Sequence, residues 1–144
     1  MNRWKKIAVI TVVGVALPIL AASQDRFART DVANMEDSSL EVVRHLVTTD
    51  VVNREPVNDG MVFSATMGPV FYFTEVSATD TPTRIAHIWY HEGRQMAEIP
   101  LSIEGPRWRT WSSKRMIEDW KGSWRVEAVD PDGKLLSSQT FEVQ

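Results

Sequence analysis

The sequence contains no cysteine in 144 residues, so neither disulfide staples nor thiolate metal sites are available to it. A small exported domain without disulfides has to hold together by core packing alone. An excess of basic residues is missing as well. Residues 24–144 hold 13 of the 16 Lys and Arg residues and all 19 Asp and Glu residues, a net charge of −6. Non-specific nucleic-acid binding rests on phosphate neutralisation, and this balance argues against it. The sequence also lacks G-x-S-x-G, S-x-x-K, H-E-x-x-H and P-loop motifs. Histidine is scarce: His45, His87 and His91 are the three. His87 and His91 fall in a stretch that reads as strand, where four residues span about 13 Å, too far for two imidazoles to share a zinc ion bound at ~2 Å. No catalytic residue, metal site or cofactor is expected.

The N-terminus sets the expected compartment. Arg3, Lys5 and Lys6 precede an uncharged run from Ile7 to Leu20, and Ala21-Ala22-Ser23 follows. A basic segment, a short apolar segment and small residues at the cleavage spacing read as a signal peptide over residues 1–23. The uncharged run extends to Gln24, which leaves an uncleaved anchor as the alternative. A spanning helix takes about 20 apolar residues, and Pro18 favours cleavage. The mature chain is then periplasmic or secreted in the bacterial cell envelope, with no stable membrane span. The remaining 121 residues suffice for one domain and not two. Residues 24–39 are polar, mix both charge signs and lack a sustained period of two, which reads as a flexible tether.

Residues 40–144 change character. Short β-prone runs appear near Val43–Val52, Val70–Ala78, Thr83–His91, Gln95–Ile103, Arg107–Ser112, Ser123–Asp130 and Leu135–Val143. Turn chemistry separates them at Asn58-Asp59-Gly60, Thr79-Asp80-Thr81-Pro82, Glu92-Gly93-Arg94 and Asp130-Pro131-Asp132-Gly133. Alternation places Ala97, Ile99, Leu101 and Ile103 on one face, and likewise Trp124, Val126 and Ala128, then Phe141 and Val143. Short connections favour antiparallel neighbours. The expected fold is all-β, an immunoglobulin-like antiparallel sandwich of about seven strands, with a small barrel as the alternative. Met116, Ile117 and Trp120 recur at helical spacing after Ser113, which predicts a short helical turn near Lys114–Trp120 capped by Ser113. Pro56 is expected to end the first strand, with Arg54 and Glu55 tying the loop that follows.

Several segments together resemble a known bacterial family. They are Asn53-Arg54-Glu55-Pro56, Phe73-Thr74-Glu75, His87-Ile88-Trp89-Tyr90, the run from Arg107 to Lys114, and Gly122-Ser123-Trp124-Arg125-Val126 followed by Asp132-Gly133. In that order they resemble the "domain of unknown function 2914" family over Val43 to Val143, most specifically in Trp108–Lys114. The resemblance implies an exported β domain of the kind attached to envelope or membrane proteins, and supplies no activity.

The candidate surface lies where aromatics and arginines concentrate. Five of the six tryptophans fall between residues 89 and 124. Trp89 and Trp124 read as core, since sandwiches commonly bury a tryptophan. Trp108 and Trp111 are three positions apart and point to opposite faces of a straight strand, so at least one lies outside the core or at its rim. Arg107, Arg109 and Trp111 share a face, where guanidinium can stack on indole. With Trp108, Lys114 and His87 they form the expected partner-binding set; pairing of the arginines with Glu75, Glu98 or Glu127 is the plainer role. The expected function is a non-enzymatic binding or adaptor module of the envelope that binds a protein through this aromatic and arginine surface. The alternative is a carbohydrate-binding module for peptidoglycan or another envelope glycan, which needs at least two exposed, coplanar indoles. A hydrolase built on Glu75 and Glu98 would need both carboxylates in one cleft ~5–10 Å apart.

Overall fold

Period-two alternation, as seen in the computed structural model, which describes residues 39–144, sorts the chain into two facing sheets. The predicted signal peptide and the tether up to residue 38 lie outside the described residues. The strands are β1 (Leu40–Val52), β2 (Glu55–Asp59), β3 (Val62–Phe63), β4 (Pro69–Ala78), β5 (Thr83–His91), β6 (Arg94–Ile103), β7 (Arg107–Arg115), β8 (Gly122–Val129) and β9 (Leu135–Val143). A four-stranded antiparallel sheet has the order β2-β1-β4-β7, and a five-stranded sheet the order β3-β9-β8-β5-β6. The second sheet is antiparallel except where β3 runs parallel to β9. With β1, β4 and β7 as strands A, B and E, and β5, β8 and β9 as C, F and G, the connections are those of an immunoglobulin-like sandwich. No helix among the described residues is long and apolar enough to cross a membrane.

The inward residues of the two sheets make one core. Val47, Tyr72 and Val76 from the first sheet meet Ile85, Trp89, Trp124, Val126 and Phe141 from the second. Trp124 stacks on Phe141 with ring centroids 6.0 Å apart, and Trp89 meets Phe141 edge-on at 6.1 Å. A buried indole removes about 150–250 Å² from water, roughly 4–6 kcal/mol of gross transfer energy. Burial on that scale is how a chain without disulfides holds its two sheets together.

All seven predicted strands are present, within three residues at either end. Two more were not predicted, and both sit between β1 and β4. Pro56 does not end the first strand. Val52 does, and Asn53-Arg54 forms a two-residue turn with φ of 51° and 64°, after which Glu55 pairs with Val52 and Pro56 with Val51. A tight hairpin turn of this hand needs two left-handed residues, and the edge position of β2 tolerates a proline. The helical turn is also shorter than expected: a 3-10 turn at Glu118–Trp120 with no side-chain cap. Ser113 is a strand residue opposite Phe71, and Lys114 and Arg115 continue the ladder with β4.

Candidate functional site

The register of β1, β4 and β7 arranges the outward side chains of the four-stranded sheet in rows. Arg44, Glu75 and Arg109 make one row; Leu46, Phe73 and Trp111 make the next. Arg107 lies one step further along β7, opposite Ser77. Glu75 faces outward, yet it is almost completely buried because Arg107 and Arg109 cover it. Arg107 donates from Nε to Glu75 Oε1 at 2.5 Å, and Arg109 Nε lies 3.5 Å from Oε2. The hydrogen bond from Arg107 is the main reason the Glu75 carboxyl sits below its ordinary pKa; burial opposes this, and the charges of Arg107, Arg109 and Arg44 reinforce it.

The β1–β2 hairpin reaches over these rows. Arg54 at its tip donates from Nη2 to the Arg109 carbonyl at 2.8 Å. Its guanidinium lies 5.1 Å from the Trp108 ring and 5.9 Å from Trp111. Arg54 thereby covers a carbonyl of β7, an edge strand, which blunts that edge against further pairing. Glu55 bridges two arginines: Oε1 is 2.5 Å from Arg109 Nη1, and Oε2 is 3.1 Å from Arg44 Nη1. Beneath them Phe73 is fully buried, stacked on Trp111 at 6.4 Å and 12°, with the Arg44 guanidinium 5.4 Å from its centroid. The outer face thus carries a small aromatic layer under a cover of guanidinium and carboxylate groups.

The structure brings together three of the six predicted surface residues: Arg107, Arg109 and Trp111. Trp108 is half-buried against the main core, and Lys114 holds its Nζ 4.5 Å from the Trp120 ring. His87 belongs to the interior. It alternates with Ile85 and Trp89 on the inward side of β5 and is fully buried. Its Nε2 is 3.2 Å from Thr74 Oγ1, and its Nδ1 is 2.8 Å from Ser112 Oγ. Thr74 already donates to the Thr110 carbonyl, and Ser112 already accepts from Trp89 Nε1. The imidazole is therefore the neutral form that donates from Nε2 and accepts at Nδ1. Burial lowers its pKa to about 3.

The other expected pairings separate. Glu127 pairs with Arg125 on β8. Glu98 lies on β6 in the five-stranded sheet, where it lines a recess of about 460 Å³ with Arg84, Pro100 and Asp130. Glu75 is on the other sheet, so the two carboxylates share no cleft. His91 stacks on Trp124 at 4.9 Å and donates from Nε2 to the Lys121 carbonyl, a separate task from that of His87. Among the described tryptophans, Trp89 and Trp124 are buried and Trp108, Trp111 and Trp120 half-buried, so they form no pair of exposed, coplanar indoles. Sequence reasoning missed Arg44 as a member of this face and treated Arg54 and Glu55 as loop ties. The one available signal was the pairing of outward positions across β1 and β4, which a bulge between Val42 and Arg44 obscures.

No curated protein matches the chain. Among solved structures, it is similar to a crystal structure of β-glucosidase from Kluyveromyces marxianus, at 12% identity and a TM-score of 0.44. The similarity covers 75% of this chain, which spans 15% of the β-glucosidase chain. Residues 82–143, essentially β5 to β9, match the model of the family described as "Protein of unknown function (DUF2914)". That match supports the resemblance read from the sequence over its C-terminal part and does not reach the hairpin or β4.

Proposed function

We propose that this chain is an exported, non-enzymatic binding or adaptor module of the bacterial cell envelope. It engages another protein through the outer face of its four-stranded sheet, centred on Arg107, Arg109 and Trp111. One observation carries the reading: three arginines (Arg44, Arg107 and Arg109) gather around two carboxylates, with Arg54 beside them on the Arg109 carbonyl, in a chain whose net charge is −3. The side chain of Arg107 is 69% exposed although it holds a buried glutamate. Arginine and tryptophan are the residue types that dominate binding energy at interfaces. The export step rests on the leader-like residues 1–23, and the half-buried indoles favour a protein partner over a stacked sugar.

Crosslinking in the native envelope followed by capture tests the reading. A stoichiometric protein partner is expected with the wild-type chain, and its loss with Arg107→Ala and with Trp111→Ala. Capture of no such partner by the wild type overturns it. Cell fractionation tests the location: a cytosolic chain with residues 1–23 intact removes the envelope from the proposal.

A further inference from the structure

We infer that Arg44 and Arg109 form a carboxylate-receiving clamp that Glu55 occupies in the free chain. The protein partner presents an acidic segment whose carboxylate takes Glu55's place. This deepens the function proposed above and rests on it.

The clamp has two jaws on different strands. Arg44 comes from β1 and Arg109 from β7, with β4 between them, and Glu55 gives one carboxylate oxygen to each. The two glutamates of the face differ in kind. Glu75 belongs to the sheet itself, its side chain is 6% exposed, and Arg107 and Arg109 cover it. Glu55 arrives from a hairpin tip; its side chain is 46% exposed, and those of Arg44 and Arg109 are 43% and 37% exposed. Exchanging one carboxylate for another there needs little desolvation, because solvent already reaches all three groups.

Charge selects the incoming group. With Glu55 in place, three guanidinium groups (Arg44, Arg107 and Arg109) face two carboxylates; with Glu55 displaced, three face one. An acidic segment restores the balance and a basic one worsens it. Arg107 adds a second contact. Among the described residues its one carboxylate partner is Glu75, engaged through Nε, which leaves the two terminal amino groups of a largely exposed side chain to meet a neighbouring carboxylate. Half-buried Trp111, stacked on the buried Phe73 ring, supplies apolar contact for the rest of the segment.

The test uses the full chain purified from the envelope, and an N-acetylated, C-amidated hexaglutamate peptide as the probe, with hexaglutamine as control. Binding is measured by calorimetry at low salt, where exposed ion pairs are least screened. Hexaglutamate is expected to bind and hexaglutamine not. Glu55→Gln is expected to bind hexaglutamate about two- to thirty-fold more tightly, the fold-change of its two surface ion pairs released together. Arg109→Gln is expected to weaken binding by at least as much. If near-UV circular dichroism shows Glu55→Gln unfolded, Glu55→Ala replaces it; it also removes the carboxylate, and the same tightening is expected. Unchanged or weaker binding by the Glu55 variant, or equal binding of the two peptides, overturns the clamp. Should the clamp fail while Arg107→Ala still loses its crosslinked partner, the function proposed above survives without it. Hexaglutamate binding as expected, with no stoichiometric partner in the envelope, supports the clamp and overturns that function.

Discussion

Two polar clusters lie back to back on β4 and β7, and they differ in how completely they are closed. Thr74 and Ser112 point inward to His87; Glu75 and Trp111, each one residue away, point outward to the arginine face. In the inner cluster each donor meets one acceptor, from the Trp89 indole through Ser112, His87 and Thr74 to the Thr110 carbonyl. A fully satisfied buried network fixes how two sheets pack, and a half-satisfied one is costly. The outer cluster has more guanidinium donors than carboxylates to receive them, and its members are partly exposed. The same two strands therefore carry a structural network on one side and an unsaturated, solvent-facing one on the other. Removing a member should damage the fold on the inside and the binding on the outside.

The sharpest way to break this contrast is a pair of neighbours. Ser112→Ala leaves both His87 Nδ1 and Trp89 Nε1 without a partner in the core. It should lower the unfolding free energy by about 2–6 kcal/mol, since each of the two orphaned buried groups costs about 1–3 kcal/mol. Ser113→Ala, on the exposed side of the same strand, should stay within about 0.5 kcal/mol of the wild type. Urea unfolding followed by tryptophan fluorescence measures both. Equal losses would mean that the inner network is not what holds β7 to β5.

Acid sharpens the contrast next. Below about pH 6.5 the unfolded chain protonates His87, whereas the folded chain resists protonation down to about pH 3. The unfolded state thus binds more protons in that window, and stability falls as pH falls through it. Between pH 7 and 5 the expected loss is about 2 kcal/mol. His45, whose pKa burial also lowers, acts in the same direction. Glu75, held below its ordinary value, contributes only at lower pH, as the unfolded carboxyl begins to protonate. Urea unfolding at pH 7, 6 and 5 should show the slope, and it should persist in His45→Gln. A flat profile would show that the imidazole is reached by water or is charged in the fold.

Much of the sandwich was legible because alternation is local. Trp124, Val126 and Ala128, like Phe141 and Val143, announce their faces within a few residues, and Trp89 and Trp124 lie in the core as expected. His87 shared that alternation with Ile85 and Trp89, but its polar side chain suggested a surface. The residues that satisfy it, Thr74 and Ser112, are 13 and 25 positions away on the opposite sheet, beyond what a local pattern can show. The β1–β2 hairpin failed for a similar reason. Asn-Arg is a weak turn signal beside Asn-Gly, and Pro56 argues against a strand. What holds the tip in place is Arg54 on the Arg109 carbonyl, 55 residues along the chain. Glu75 was one of three partners offered for the arginines of β7, beside Glu98 and Glu127 on the other sheet, although those arginines were visible as a group. Their bridging by Glu55 depends on the hairpin and could not be read in advance.

Within the outer cluster a small effect on stability is expected at Arg107, the most exposed of its ion-paired members. Arg107→Gln removes the hydrogen bond to Glu75 Oε1 but leaves Arg109 Nε 3.5 Å from Oε2, so the buried carboxylate keeps a cation beside it. An ion pair with one partner 69% exposed contributes about 0.5–1 kcal/mol, which for a domain of this size is a melting shift of about 2–5 °C. Capture of the proposed partner should nevertheless fall sharply, because the terminal amino groups of Arg107 have no carboxylate partner among the described residues. Calorimetric melting and the crosslinking capture, run on the same preparation, separate the two effects. A melting shift as large as that of Ser112→Ala would place Arg107 among the residues that hold the fold. The outer cluster would then be as closed as the inner one, with no donors left over for a partner.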